Sequence, residues 1–431
     1  MKRRGLQIWF LGVLMLLAGP AAAVLEVTVT EGVTGAIPVA VAPFAWDGAG
    51  SPPEDVAQIV GANLARSGLF EVLSRQALPE APESPDGFLA ESWAAVGAEY
   101  LVIGRQRPEP EQEQVLIEFH VFDVLANQRL GGFRIPVPLD MMRRGAHRVS
   151  DIVYEEITGD KGAFSARIAY VGVAGEGDRR RFTLEVADSD GANPRTLFRS
   201  SAPLMSPDWS PDGRELVYVS FENRRSEVFR QNVETGARQR IAAFQGINSA
   251  PVWSPDGRRI ALTLSRDGTA NIYMLELDSG ELTPVVRSNA IDTEPAWSPD
   301  GDTLYFTSDR AGSPQVYQLQ LPGGTPRRLT FEATSAGAPT VSPDGKSLVY
   351  VHAGDGGLRL ARLDLESRRV TLLTRGRYDK SPSFAPNGSM VIYSTTDRGR
   401  GILGSVSRDG QVHQRLAARS GEVREPAWSP L

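Results

Sequence analysis

The chain has 431 residues, of which 41% are hydrophobic and 23% charged, a balance that fits an ordinary globular protein of two or three domains. Its formal net charge of −6 lacks the basic footprint of a nucleic-acid binder. There is no cysteine, which excludes disulfides and a lipid-bearing cysteine near the start.

The first residues point to export. Lys2, Arg3 and Arg4 precede an apolar run from Leu6 to Ala18, and "GPAAAV" comes next. This is the pattern of a signal peptide over residues 1–23, cleaved after Ala23. The run is shorter than the roughly 20 residues a spanning helix needs, so the chain is not expected to span a membrane. Removing the three cations takes the charge from −6 to −9. A soluble, non-lipidated periplasmic protein is expected.

Residues 24–160 show no repeat. "LEVTVTEG" alternates and reads as an extended segment. "PVAVAPF" from Pro38 reads as a buried strand. "SPPEDVAQIVGANLARSGLF" reads as a helix with Ser51 as its cap, Val56, Ile59, Val60 and Leu64 on one face, and Gly68 as its stop. "GFLAESWAAVGAEYLVIGRQ" gives a second helix and then a strand from Tyr100. A hairpin is expected over "EQVLIEFHVFDVLANQRLGGFRIPV", and a third helix over "LDMMRRGAHRVSDIVYEEITG". This mixture is an α/β domain, with residues 159–162 as its hinge to a second domain.

From there the chain repeats. Heads occur at Pro207 (PDWSPDG), Pro251 (PVWSPDG), Pro295 (PAWSPDG), Pro339 (PTVSPDG), Pro382 (PSFAPNG) and Pro426 (PAWSP), in steps of 44, 44, 44, 43 and 44. Each full unit carries four short alternating stretches bounded by turn residues, the signature of a propeller blade. The SPDG turn has its own chemistry: Pro presets φ, Asp bonds nearby backbone, and Gly takes positive φ. Its aspartates therefore read as turn residues rather than metal ligands. Trp209, Trp253, Trp297 and Trp428 read as packing between blades. "DSDGAN" from Asp188 lacks the downstream glutamate of a calcium loop and reads as a hairpin turn.

Five units are complete. Residues from Arg167 supply strands two, three and four of a sixth, and the terminal "PAWSP" supplies its first strand. Joining the ends closes a six-bladed ring over residues 164–431 and removes free sheet edges. A ring closed on itself implies a monomer. The expected class is therefore α+β with two domains, an N-terminal α/β domain followed by a six-bladed β-propeller closed by the C-terminal strand. The entry point near Phe164 places the N-terminal domain by the SPDG turns and leaves the opposite rim open for a partner.

Two rival readings make their own demands on the residues. An enzyme of the propeller-peptidase type needs a G-x-S-x-G elbow in a further domain, and none is present. H-E-x-x-H and the phosphate-binding P-loop are also absent, and His120, His147, His352 and His413 show no ligand spacing. No cofactor, metal or catalytic residue is expected. A propeller that binds peptidoglycan or another saccharide is the alternative function; it needs aromatics on the open rim, where Tyr378 is the one aromatic before a head.

The signal peptide, "VAPFAW", "AQIVGANLARSGLF", "ITGDKGAFSARIAYV", "PLMSPDWSPDG", "SDRAGSPQVYQLQLPGGTPRRLT" and the abrupt "PAWSP" ending together resemble the TolB family, the periplasmic components of the Tol–Pal envelope system. The resemblance covers nearly all of the mature chain. It implies a non-enzymatic adaptor that binds the lipoprotein Pal through the propeller and TolA through the first mature residues, with other outer-membrane proteins as further candidate partners. Such an adaptor supports outer-membrane integrity and invagination during division. By resemblance, Pal contacts would fall on Asn248, Ala250, Thr293 and Glu294. Ring position adds Met205, Ala338 and Tyr378. Ile247 stands where some members carry a polar residue or histidine. The TolA segment would be 24–34, with Val24, Leu25, Glu26, Val27, Thr28, Val29 and Thr30 as its contacts, either adding an edge strand to the partner or folding back on its own protein.

Overall fold

The computed structural model describes residues 25–31, 35–80, 82 and 85–431. The expected signal peptide and Val24 lie outside them, as do residues 32–34 of the expected TolA segment.

The first strand, β1 (Leu25–Glu31), belongs to the propeller. The N-terminal sheet is built from β2 (Ile37–Val41), β3 (Ala45–Trp46), β4 (Phe70–Val72), β5 (Tyr100–Glu109), β6 (Gln114–Asp123) and β7 (Gln128–Pro138). Its order is β4-β2-β5-β6-β7, with β3 beside β5. β2 runs parallel to β4 and β5, and β5, β6 and β7 form an antiparallel meander. The helices are α1 (Val56–Ser67), α2 (Ala90–Ala94) and α3 (Met142–Thr158). The apolar faces of α1 and α3 meet the sheet through Val56, Val60, Leu64, Val149 and Val153 against Val39, Ile117 and Phe119. Trp93 of α2 packs with Leu101 and Phe122 in a second cluster.

α1 starts later than expected. Its cap is Asp55, not Ser51: the Asp55 carboxylate accepts the Gln58 N–H at 2.9 Å and pairs with Arg75 at 2.7 Å. Only an acceptor immediately before the first turn reaches the N–H that the turn leaves unpaired, and Ser51 is separated from that turn by two prolines. The helix ends as expected at Gly68, in the left-handed region with φ 75°.

The propeller has six blades. Strands β8 (Arg167–Ala174), β9 (Arg181–Asp188) and β10 (Arg195–Ser200) are completed on the inside by the last strand, Glu422–Trp428, paired antiparallel to β8. The innermost strands of the other five blades are Leu204–Trp209, Asn248–Trp253, Asp292–Trp297, Ser335–Val341 and Lys380–Phe384. The SPDG turns behave as their residues demand. Ser210 Oγ donates to Asp212, Asp212 accepts the Arg214 N–H, and Gly213 takes φ 68°. The serine-to-aspartate bond recurs at Ser254, Ser298 and Ser342. Trp209, Trp253 and Trp297 are buried in the blade cores, each under an arginine: Arg167, Arg230 and Arg259. Trp209 also ties its blade to the closing strand, donating to Ala427 O at 3.1 Å.

β1 folds back on its own protein. It adds a fifth strand to the blade headed at Pro382, antiparallel to His413–Ala418, with Leu25 opposite Ala418 and Glu31 opposite His413. Leu25 is buried with Leu416, Ala418 and Val423, and Glu26 pairs with Arg419 at 2.9 Å.

The N-terminal domain rests on the SPDG face. The Asn387 amide of the APNG turn donates to Lys161 O at 2.7 Å, and Gln414 donates to Arg66 O at the end of α1. The connecting segment is held by Asp151, whose carboxylate accepts the Phe164 N–H at 2.6 Å and the Ser165 hydroxyl. Burial raises the Asp151 carboxyl, and those hydrogen bonds pull it back.

Candidate functional site

The innermost strands surround a central channel of about 970 Å³. Each carries the same irregularity where its head proline sits. The residue before the proline takes a left-handed conformation: Ser206 (φ 50°), Ala250 (46°), Glu294 (53°), Ala338 (48°), Ser381 (51°) and Glu425 (53°). The register with the second strand shifts at the same place in each blade. Proline offers no N–H to the ladder, so the strand bulges there. The bulge turns these six residues into the channel wall.

Of the seven rim residues named from the sequence, Met205, Ala250, Thr293, Glu294 and Ala338 line the channel together. Tyr378 stands outside that lining but exposed. Asn248 is set apart from them by burial. It is 0% exposed, and its side chain is spent within its own loop: Oδ1 accepts the Phe244 N–H at 2.9 Å, and Nδ2 donates to Phe244 O and Gly246 O. Asp292 and Asp379, also three residues before a head proline, are buried and tie their loops through Ser288 and Thr374. A short polar residue at that offset is a loop clamp, which leaves Asn248 nothing to offer a partner in this arrangement.

The open rim instead presents apolar side chains. Met205, Ile247, Ile291, Phe331 and Tyr378 are 40, 51, 51, 69 and 60% exposed. Ile247, Ile291 and Tyr378 occupy one repeat position, four residues before the head proline. That shared offset was the sequence signal for Ile291. Phe331 closes "RRLTF", whose alternation makes it the fourth of its unit's short stretches. The strand covers only Arg327–Arg328, because the Thr330 hydroxyl turns inward to Gln315 and accepts the Val316 N–H. Phe331 is then left on the rim with Arg328 over its ring, so Tyr378 is not the one aromatic there.

Three acids in the channel wall link blades. Glu294 accepts the Ala338 N–H and the Thr307 hydroxyl, both at 2.7 Å. Asp208 accepts the Trp253 N–H at 2.8 Å. Burial pushes the Asp208 carboxyl up to about 7 against the pull of the Trp253 and Trp209 N–H groups. Burial likewise raises Glu425, which accepts the Ser206 N–H.

One histidine does meet acids. His147 of α3 lies 3.6 Å from Asp190 in the β9–β10 turn and 3.9 Å from Asp188 at the end of β9, three ligand atoms that a metal ion could bridge. Arg143 already pairs with both carboxylates, and Arg66 bonds Ser189 between them. Two arginines against two aspartates leave the cluster neutral without a cation. Burial holds the imidazole at about 4, uncharged at neutral pH.

Known proteins share this architecture. Residues 25–130 match the TolB amino-terminal domain, and residues 154–431 match the TolB beta propeller domain. The chain is 61% identical over 413 residues to the Tol-Pal system protein TolB of Thioalkalivibrio sulfidiphilus, covering 95% of both chains.

The chain belongs to the TolB family.

The TolB of Methylococcus capsulatus is 58% identical over 429 residues and covers all of both chains. The crystal structure of TolB from Acinetobacter baumannii superimposes with a TM-score of 0.87 at 36% identity, covering 94% of this chain and 100% of that one. TolB proteins are components of the Tol-Pal system, and this chain is one of them. Among the described residues, no helix is long and apolar enough to cross a membrane.

Proposed function

We propose that this chain is a non-catalytic periplasmic adaptor that binds the lipoprotein Pal through its open rim and TolA through the start of the mature chain. In that role it supports outer-membrane integrity and invagination during division. One observation carries the reading: Ile247, Ile291, Phe331 and Tyr378 stand exposed on the loops that lead into four successive innermost strands of a rigid ring, and Met205, on an innermost strand itself, is exposed at the channel. Apolar residues grouped on a rim mark a protein interface, and closely spaced loops on a fixed scaffold let one partner touch several at once. Thr293, Glu294, Ala250 and Ala338 form the wall of the mouth that a partner would enter. Asn248 serves by holding the loop that presents Ile247.

Calorimetric titration of the mature protein with the soluble domain of its own Pal tests the rim. Wild type should bind. Thr293→Arg should abolish binding while the melting temperature stays unchanged, because it places a guanidinium in the channel wall without touching a blade core. Binding that survives the substitution moves the site elsewhere. No binding by wild type overturns the adaptor reading and turns attention to saccharide titration, for which Phe331 and Tyr378 are the stacking candidates.

β1 is the segment assigned to TolA. One of its edges pairs with His413–Ala418, and no described strand pairs with the other. Mature protein lacking residues 24–34 should lose TolA in a pull-down; normal capture would remove the segment from the reading.

A further inference from the structure

Between the N-terminal domain and the SPDG face lies a cavity of about 170 Å³. Both domains build it. Leu69 and Phe164 face Met390, Val412 and Trp428 as its apolar wall. Tyr154 of α3 lines it as well. The Tyr154 ring is 4% exposed and set edge-on to Phe70 and Phe164, with centroids 6.0 and 5.7 Å away. Its hydroxyl has no hydrogen-bond partner among the described residues. A buried phenol normally finds one. Burial raises the phenol's pKa, so at neutral pH the proton is present and ready to donate.

Two cations share the lining. Arg408 pairs with Asp160 at 4.0 Å, a long contact to an exposed acid. Arg66 is half-buried and its guanidinium already donates to Asn63 Oδ1 at 2.9 Å and Ser189 Oγ at 3.4 Å, which leaves Arg408 as the cation free to take a ligand. The other lining carboxylate, Asp409, is already occupied by the Ser407 hydroxyl at 2.5 Å and the Gln411 N–H at 3.1 Å. The cavity therefore has an apolar wall and more unused donors than acceptors.

We propose that this cavity binds a small apolar carboxylate of about benzoate size, with its ring against Phe164, Met390 and Trp428 and its carboxylate on the Tyr154 hydroxyl and the Arg408 guanidinium. The volume supports one ring: an apolar cavity of about 150 Å³ admits benzene. The chemistry supports the anion, since charge-assisted bonds from a guanidinium and a phenol are short and strong. Because the walls come from two domains, the ligand makes its full set of contacts only when those domains are docked, so binding stabilises the docked arrangement.

The test uses mature protein and no Tol–Pal partner, so it stands or falls separately from the adaptor reading. Benzoate and benzyl alcohol, alike in shape but not in charge, are titrated by calorimetry and by thermal melting. Benzoate should bind and raise the melting temperature, and benzyl alcohol should bind about tenfold more weakly or worse. Tyr154→Phe keeps the ring and its packing, and Arg408→Gln changes a side chain that is 58% exposed, so both variants should fold. Each should weaken benzoate about tenfold and leave benzyl alcohol unchanged. The proposal is overturned if benzoate fails to bind at millimolar concentration, if the alcohol binds equally well, or if benzoate binding is indifferent to both substitutions.

Discussion

The Glu294 carboxylate accepts the backbone N–H of Ala338, 2.7 Å away in the neighbouring blade. Glu425 repeats the link three blades on, accepting the Ser206 N–H at 3.2 Å across the seam where the chain ends meet. Both acids precede a head proline and share its left-handed bulge, which aims the carboxylate sideways along the channel wall. The ring is therefore joined blade to blade near its axis as well as through the tryptophan layer farther out.

Glu294→Ala leaves the Ala338 N–H and the Thr307 hydroxyl without their carboxylate. The expected loss is about 1–3 kcal/mol of unfolding free energy, read from the urea midpoint. Glu294→Gln keeps an acceptor and should recover part of that loss. An unchanged midpoint in the alanine variant would mean the link contributes nothing.

Deleting residues 425–431 removes the end of the closing strand, including Ala427 and Trp428, which pair with Ala169 and Ile168. It bares the inner edge of β8 and takes away the acceptor for Trp209. The melting temperature should fall sharply, by roughly 10 °C or more. A truncated chain that melts like the full one would show that the ring does not depend on its seam.

Gly68 meets two demands at once. It has φ 75°, and a Cβ there would collide with Val412 of the propeller. Gly68→Ala should cost about 1–2 kcal/mol for the left-handed backbone and a further 1–3 kcal/mol, roughly, for overpacking. In a double-mutant cycle, Val412→Ala should recover the steric share. Additive losses would place the whole cost in the backbone.

Asp208 makes stability depend on pH. Its folded carboxyl titrates at about 7, above its ordinary 3.8. At pH below the ordinary value both states hold the proton, and the group takes nothing from stability. As pH rises from there towards 7, the unfolded chain releases its proton first, so stability falls. Asp208→Asn keeps an acceptor for the Trp253 N–H and removes that slope. Urea denaturation at about pH 5 and about pH 8 should show a smaller drop in the variant. Equal drops would exonerate Asp208.

Much of the fold was legible because local signals repeat. Five nearly equal steps between heads, turn residues at constant offsets and a lone first strand at the C-terminus led directly to a closed six-bladed ring. The capping error at α1 was local: Ser51 and Asp55 are both good caps, and only the entry path of the two prolines chooses between them. Phe331 was misplaced because "RRLTF" alternates like a strand, while a long-range bond from Thr330 to Gln315 ends the pairing early. Asn248 was named by family resemblance, and its side chain bonds to Phe244 and Gly246 in a way that no composition rule foretells.

The linear order of residues determined what is periodic here, namely the blades, their turns, the closing strand and the apolar offset shared by Ile247, Ile291 and Tyr378. These depend on neighbours a few residues apart, so they can be read one unit at a time. Tertiary structure alone decided where β1 lies, which side chains line the channel, how His147 meets Asp188 and Asp190, and that a cavity opens beside Tyr154. Each of these joins residues from distant parts of the chain, and whether such groups meet depends on how whole domains pack, which no local pattern encodes.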